Sequence, residues 1–145
     1  MKVVELRGKE ALLKVYGLLT ELYPDMSFEE YEHQLREMLQ QNYFMLAVYS
    51  NDELVALSGV WIGQKLWCGK YMELDNVVVT QSSRSKGVGA FLFDYAKKYA
   101  KKEGCASIGL DSFTYNHASH KFFFKEDFVA KGYHFVHMID PSKMR

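Results

Sequence analysis

Apolar residues recur along this chain with two different periods, and each switch of period marks an element. Residues 2–6 predict a short strand. Across 9–22, Leu12, Val15, Leu19 and Leu22 fall near helical spacing, and Leu13, Tyr16 and Leu18 widen the stripe. Tyr23-Pro24-Asp25-Met26 breaks the pattern. Ser27-Phe28-Glu29-Glu30 has the form of a capping box, the serine accepting from first-turn amides and Glu30 reaching back. A second helix follows, with Phe28, Tyr31, Leu35, Met38 and Leu39 on one face. Residues 43–49 are aromatic and β-branched and predict a strand. Ser50-Asn51-Asp52-Glu53 is a turn. Residues 54–62 form the return strand of a hairpin, and 72–79 predict a further strand ending in Val77-Val78-Val79.

A polar loop over 80–86 leads into a helix over 87–103, with Phe91, Leu92, Tyr95 and Tyr99 expected to face inward. Lys97, Lys98, Lys101 and Lys102 suit the negative end of its dipole, and Gly104 supplies the cap. Residues 105–110 predict a strand, and Asn116 caps a short helix reaching Lys125. Residues 128–139 are strand-like, with a tight turn at Lys131-Gly132. The order β-α-α-β-β-β-α-β-α-β predicts a mixed α/β chain with an antiparallel front and a βαβ crossover behind. No repeat or linker interrupts it, so 1–145 reads as a single domain.

Composition narrows the function. The 145 residues are enough to bury a core unaided. Lys and Arg total 18, as do Asp and Glu. That balance lacks the dominant positive field on which nucleic-acid or anionic-membrane binding rests. It also gives little repulsion between copies, which leaves a homodimer open. Cys68 and Cys105 lie far apart and form no CxxC, which argues against a metal site or a disulfide framework. Cys105 reads as a small buried hydrophobe. Charge at Lys2 and Glu5 comes too early for a signal peptide, and no apolar run approaches membrane-spanning length, so the cytoplasm is the expected compartment.

The chemistry concentrates in VVVTQSSRSKGVGAFLFDYAKK, which runs strand, loop, Gly-x-Gly, helix. Glycines at a helix start let a ligand approach the backbone without meeting a Cβ. The first-turn amides are unpaired and the dipole is positive there, which suits a pyrophosphate. Arg84 and Lys86 add positive charge. A Walker loop would need GxxxxGK[ST], which is absent. A dinucleotide fingerprint would need a third glycine, where this chain has Leu92, and more βα units than the remaining tail can hold. Asp111 alone sits where a ribose-binding acid would.

Arg84-Ser85-Lys86-Gly87-Val88-Gly89 resembles the [QR]-x-x-G-x-[GA] signature of the GNAT superfamily of N-acetyltransferases, which sits between strand four and helix three. Asn116 followed by Ser119, Phe122, Phe123 and Phe128 resembles the family's N-x-x-A-x-x-F-Y-x-x-x-G-F segment. The resemblance covers the chain in element order and about residues 72 to 135 in motif detail. It implies a mixed, mostly antiparallel sheet of six to seven strands flanked by about four helices, with strands four and five splayed around acetyl-CoA as co-substrate. It implies no metal. It also implies that Val77, Val78 and Val79 pair with the pantetheine arm, that Ser85, Lys86, Gly87, Val88, Gly89 and Ala90 hold the pyrophosphate beside Arg84, and that Asn116 and Phe123 contact the cofactor.

Acetyl transfer to an amine needs a base for the ammonium, a donor for the developing oxyanion and an acid for the thiolate. By resemblance the base is Glu73, with Asp75 on the same strand face unless a bulge shifts the phase. The strand-four amides near Val77 are the oxyanion donors. Phe123 occupies the position where the family usually has tyrosine and cannot donate a proton, a loss that would slow but not abolish transfer unless another residue serves as acid. Tyr115 is the first candidate, with His120 and Tyr133 behind it; His117, His134 and His137 read as structural. Asp127 replaces a usual glycine. Asp25, Glu29, Glu30 and Glu32 either attract a cationic amine or simply suit a helix start. Trp61 and Trp67 either wall the pocket or pack. The expected activity is transfer of acetyl from acetyl-CoA to a primary amine of a small molecule or protein; the alternative is an acyl-CoA-binding sensor without turnover.

Overall fold

The computed structural model describes residues 1–145, which divide into two compact units, Met1–Leu110 and Asp111–Arg145. The first unit is built on a five-stranded sheet in chain order. Its strands are β1 (Lys2–Leu6), β2 (Tyr43–Ser50), β3 (Glu53–Lys65), β4 (Gly69–Val79) and β5 (Ser107–Leu110). All neighbours are antiparallel except β4 and β5, which run parallel. This is the mixed, mostly antiparallel α/β architecture that the pattern predicts. The β3–β4 hairpin is longer than expected, pairing out to Lys65↔Gly69. Apart from Tyr71 its outer residues are polar or glycine, so they lack the apolar alternation that announces a strand.

Three helices cover one face: α1 (Lys9–Leu13), α2 (Tyr16–Leu19) and α3 (Phe28–Met38). The stripe over 9–22 is not one helix. Steps of three residues drift about 60° around a straight helix, so Leu12, Val15 and Leu18 would wind away from the sheet. A break at Val15 (φ −98°, ψ 5°) keeps Leu12, Val15, Leu18 and Leu19 all buried. The hydroxyl of Tyr31 donates to Leu12 O at 2.7 Å, and that of Tyr16 to Met26 O at 2.5 Å, which lock the helices together. Burial pushes the Tyr31 phenol well above the usual tyrosine range. Ser27 caps α3 as its sequence predicts, accepting from Glu30 N at 3.1 Å. The core of this face adds Tyr43, Met45, Ala47, Leu57 and Val78.

The alternate residues of β2, Phe44, Leu46 and Val48, point to the opposite face. There α4 (Val88–Lys102) buries Val88, Leu92, Phe93, Ala96 and Ala100. Only Leu92 of the four residues expected inward is fully buried. The two alanines let the helix approach the sheet, which rotates Phe93 into the core and leaves Phe91, Tyr95 and Tyr99 on the flanks. Tyr95 donates to Glu5 at 3.1 Å and Tyr99 accepts from Arg7 at 2.8 Å. Gly104 (φ +72°) ends α4 as predicted, and Lys70 Nζ donates to Glu103 O at 2.6 Å. Cys105 is half-buried and precedes β5, which starts at Ser107.

The second unit holds α5 (His117–Lys125), whose cap Asn116 accepts from Ser119 N at 3.3 Å. The strand expected over 128–139 does not form, and the six to seven strands expected are five. A strand exists only through pairing, and no ladder takes up this backbone. Val129, Tyr133, Phe135 and Ile139 stay exposed. With α5 the α-helices number five where about four were expected. No helix is long and apolar enough to cross a membrane.

Candidate functional site

The site begins with the uneven support of β4. Its pairing with β5 runs only from Tyr71↔Ser107 to Leu74↔Leu110. From Asp75 onward β4 has no strand on that side, although β3 still pairs with the other through Leu57↔Val78 and Ala56↔Val79. Between Asp75 and Val78 lie two residues, Asn76 and Val77, opposite the single Ser58 of β3. That is a β-bulge. Asn76 takes φ +50°, which asparagine tolerates better than most side chains. Its amide donates to Asp75 Oδ1 at 2.8 Å, and its Oδ1 accepts from the Tyr23 hydroxyl at 2.5 Å. The buried Ser58 hydroxyl donates to Asp75 O at 3.3 Å.

The bulge decides which side chains share a face. Before it, Glu73 faces Trp61 and Asp75 faces Gly59, two residues apart on both strands, so the two acids lie on one face. After it the phase flips, and Val78 joins Leu57 and Tyr43 in the core beneath α1–α3. Trp61 donates its indole N–H to Asp75 Oδ2 at 3.2 Å and packs on Tyr43, ring centroids 4.5 Å apart. The Tyr43 hydroxyl is buried without a hydrogen-bond partner. Burial, then the Asp75 carboxylate, push that phenol far above its ordinary range; the nearby Asn76 side chain opposes them only in part.

Past the covering helices the same face opens into a cleft of about 430 Å³, lined by Asn42, Trp61, Gly63, Lys65, Tyr71 and Glu73 among others. The Glu73 carboxylate makes no hydrogen bond and no ion pair there. On its β5 side stands Gly109, where a Cβ would come only to 4.0 Å from Glu73 Oε2, so the carboxylate keeps room to move.

At the other end of β4, a 3₁₀ turn (Gln81–Ser83) and a turn through Ser85 (φ +60°) lead into α4. Gly87 is its N-cap, in the left-handed region at φ +80°, with no side chain capping the first-turn amides. A Cβ on Gly87 would meet nothing within 4 Å. Lys86 is exposed, Gly89 and Ala90 are half-buried, and Val88 is a core residue. Arg84 is engaged elsewhere: Nε donates to Val79 O at 3.1 Å, and the guanidinium pairs with Glu21 at 3.2 Å. It therefore braces the loop against the end of β4. Val77 and Val79 are half-buried and Val78 fully so.

In the second unit, Tyr115 is exposed with its ring stacked on Phe113 at 5.3 Å. Phe123 packs on Phe122 and Phe128. His120 meets Phe113 O through Nε2 at 2.9 Å, and His134 meets Asp111 at 2.7 Å. Trp67 is exposed, whereas Trp61 is a cleft wall. Sequence reasoning missed Tyr43, Tyr71, Gly63 and Lys65. The available signal was the pairing of Gly63 with Tyr71 across the hairpin, legible only once the register is known.

Comparison with known proteins agrees with this geometry. The acetyltransferase (GNAT) family pattern matches residues 12–128. The chain is 30% identical over 133 residues to the uncharacterized N-acetyltransferase YhdJ of Bacillus subtilis strain 168, covering 90% of this chain and 94% of that one. Glucosamine-6-phosphate N-acetyltransferase from Arabidopsis thaliana superposes with a TM-score of 0.70 at 20% identity, over 97% of this chain and 100% of that one. The aminoglycoside N-acetyltransferase AAC(6')-Iy, solved with CoA, superposes with a TM-score of 0.78 at 17% identity, over 94% of each chain. The last two likenesses establish the fold, and the family pattern and the Bacillus relative establish kinship: this chain belongs to the GNAT family of acetyltransferases.

Proposed function

We propose that this protein transfers an acetyl group from acetyl-CoA directly to a primary amine, with Glu73 as the base that receives the ammonium proton. The observation that carries the reading is an unpaired carboxylate in an open cleft, two residues before the point where β4 loses its β5 neighbour. The residues fit the coenzyme. The uncapped amides of α4, the absent Cβ of Gly87 and the exposed Lys86 suit a diphosphate. The edge of β4 over Val77, Val78 and Val79 has no strand neighbour, and up to the Val79 carbonyl that Arg84 takes it offers backbone groups to an extended arm. Structural relatives solved with CoA support the same ligand.

Bound there, the coenzyme supplies an acyl thioester. Glu73 takes a proton from the ammonium, directly or through water, and so frees the lone pair that attacks. The Val77 amide steadies negative charge growing on the carbonyl oxygen. Asn76 and its partner Tyr23 hold the bulge that sets where that amide points. Tyr115 returns a proton to the departing thiolate. Alignment of amine and thioester supplies much of the acceleration.

Glu73→Gln tests this in a thiol-release assay over a panel of amines. General bases contribute on the order of 10²–10⁴-fold, so kcat/KM should fall by at least about a hundredfold at neutral pH, with acetyl-CoA affinity unchanged. A pH–rate profile identical to the parent's would remove Glu73 from this role. Tyr115→Phe should lower turnover without altering amine affinity. Phe123, in place of the tyrosine usual in the family, favours a second reading as an acyl-CoA sensor. Tight acetyl-CoA binding with no acetylation of any amine would select it.

A further inference from the structure

The cleft beside Glu73 already contains an ammonium group. Lys65 Nζ lies 4.4 Å from the centroid of the Tyr71 ring, within the range of a cation–π contact. Lys65 makes no ion pair, and the Tyr71 ring is the group that its ammonium meets. The ring is laid across the hairpin by its cross-strand neighbour Gly63. A Cβ on Gly63 would come within 2.6 Å of the Tyr71 hydroxyl and 2.7 Å of two ring carbons. Only glycine allows the aromatic plane to lie there. Lys65, Tyr71, Trp61 and Glu73 all line the same cleft.

These side chains form a recognisable chemical set: an aromatic face that holds a cation, a second aromatic wall, and a carboxylate without a partner. The Lys65 side chain is itself a primary ammonium on an unbranched four-carbon stem. We propose that this cleft selects a singly charged alkyl amine as acceptor, and that Lys65 occupies it in the resting protein as an internal surrogate that the incoming ammonium displaces. The claim rests on the transferase reading in one respect, that the amine bound here is the one acetylated.

Charge sets the selectivity. The cleft offers one acid, Glu73, against one base, Lys65. A single ammonium exchanges for the lysine at the ring and gains the carboxylate. A polycation meets the displaced lysine nearby and finds no second acid among the lining residues. Alkyl monoamines, including the side chain of a lysine residue, therefore fit better than polyamino sugars.

The test uses the full chain saturated with CoA and three probes: n-butylammonium, spermidine and neamine. Binding is read from the Trp61 indole and Tyr71 ring resonances. Lys65→Met keeps the aliphatic stem and removes the charge. An exposed cation–π contact corresponds to about two- to fivefold in affinity, so this variant should bind n-butylammonium that much more tightly and gain more for the polycations. Tyr71→Leu should weaken n-butylammonium binding by about threefold. Unchanged n-butylammonium affinity in Lys65→Met, or a parent protein that prefers neamine, would overturn the proposal. Thiol release with alkyl amines that ignores both variants would also overturn it while leaving the transferase reading intact. Binding that follows the variants, with thiol release at background, supports the ammonium site and removes the transferase reading instead.

Discussion

From Gly69 to Val79 one strand passes through two environments. Its first half is flanked by β3 throughout and by β5 from Tyr71 to Leu74. There the alternation is regular, and Met72 and Leu74 are buried against the α4 side while Tyr71 and Glu73 stand in the cleft. Its second half keeps only β3, carries a bulge, and holds Asn76 at a positive φ. The contrast separates two duties. A fully paired strand fixes side chains, as the roles proposed for Glu73 and Tyr71 require. A half-paired strand leaves backbone groups for a ligand, at the cost of support that Tyr23, Ser58 and Arg84 supply through hydrogen bonds from outside the ladder.

The comparison breaks most decisively at the start of α4, the proposed coenzyme end. Gly89→Asp puts a carboxylate in the first turn of α4. Acid there favours the helix dipole, so folding should be kept. Two like charges about 4 Å apart repel by roughly 4 kcal/mol near a surface. Calorimetry should therefore show acetyl-CoA binding weakened by more than about a hundredfold, with the amine cleft unaffected. Comparable losses at both ends would mean that the two halves are not independent.

Next in size is the bulge. Asn76→Val forces a β-branched residue into the left-handed region and removes the bond from Tyr23. Those effects are about 1–2 and about 1 kcal/mol. Denaturant unfolding should register a loss of roughly 2–3 kcal/mol, and the KM for acetyl-CoA should rise while n-butylammonium binding holds. An undisturbed KM would deny the bulge its positioning role.

The smallest effect sits at Tyr43. Its buried hydroxyl has no partner, so Tyr43→Phe should stabilise the fold by about 1 kcal/mol at neutral pH. The alkaline limb gives the sharper measurement. The folded phenol titrates above its unfolded value, so its contribution is complete below about pH 10 and is lost as pH rises toward the folded value. The parent should lose stability above about pH 10, and Tyr43→Phe should lose it less steeply. Parallel slopes would show that Tyr43 is not the group responsible.

Sequence and structure divided the work along physical lines. Local chemistry was legible: Ser27 and Asn116 as caps, Gly104 as a helix stop, the glycine-led start of α4, and the motif that identifies the family. Each depends on residues within a few positions of one another. Alternation along the fourth strand puts Glu73 and Asp75 on one face unless a bulge separates them, and nothing local in the sequence says that the bulge falls after Asp75. The inward face of α4 was partly misread because alanine carries little apolar signal yet permits the closest packing. The 128–139 stretch has strand composition and no ladder, since pairing needs a second backbone that composition does not specify.

The sequence by itself determined the caps of α3 and α5, the two ends of α4, the mixed α/β class, and the family. Tertiary structure alone decided the cross-strand register, and with it the bulge at Asn76, the laying of Tyr71 over Gly63, and the company of Glu73 and Lys65 in one cleft. The reason is distance along the chain. Caps and turns are set by neighbours a few residues apart, whereas register depends on segments brought together by the packing of the whole sheet.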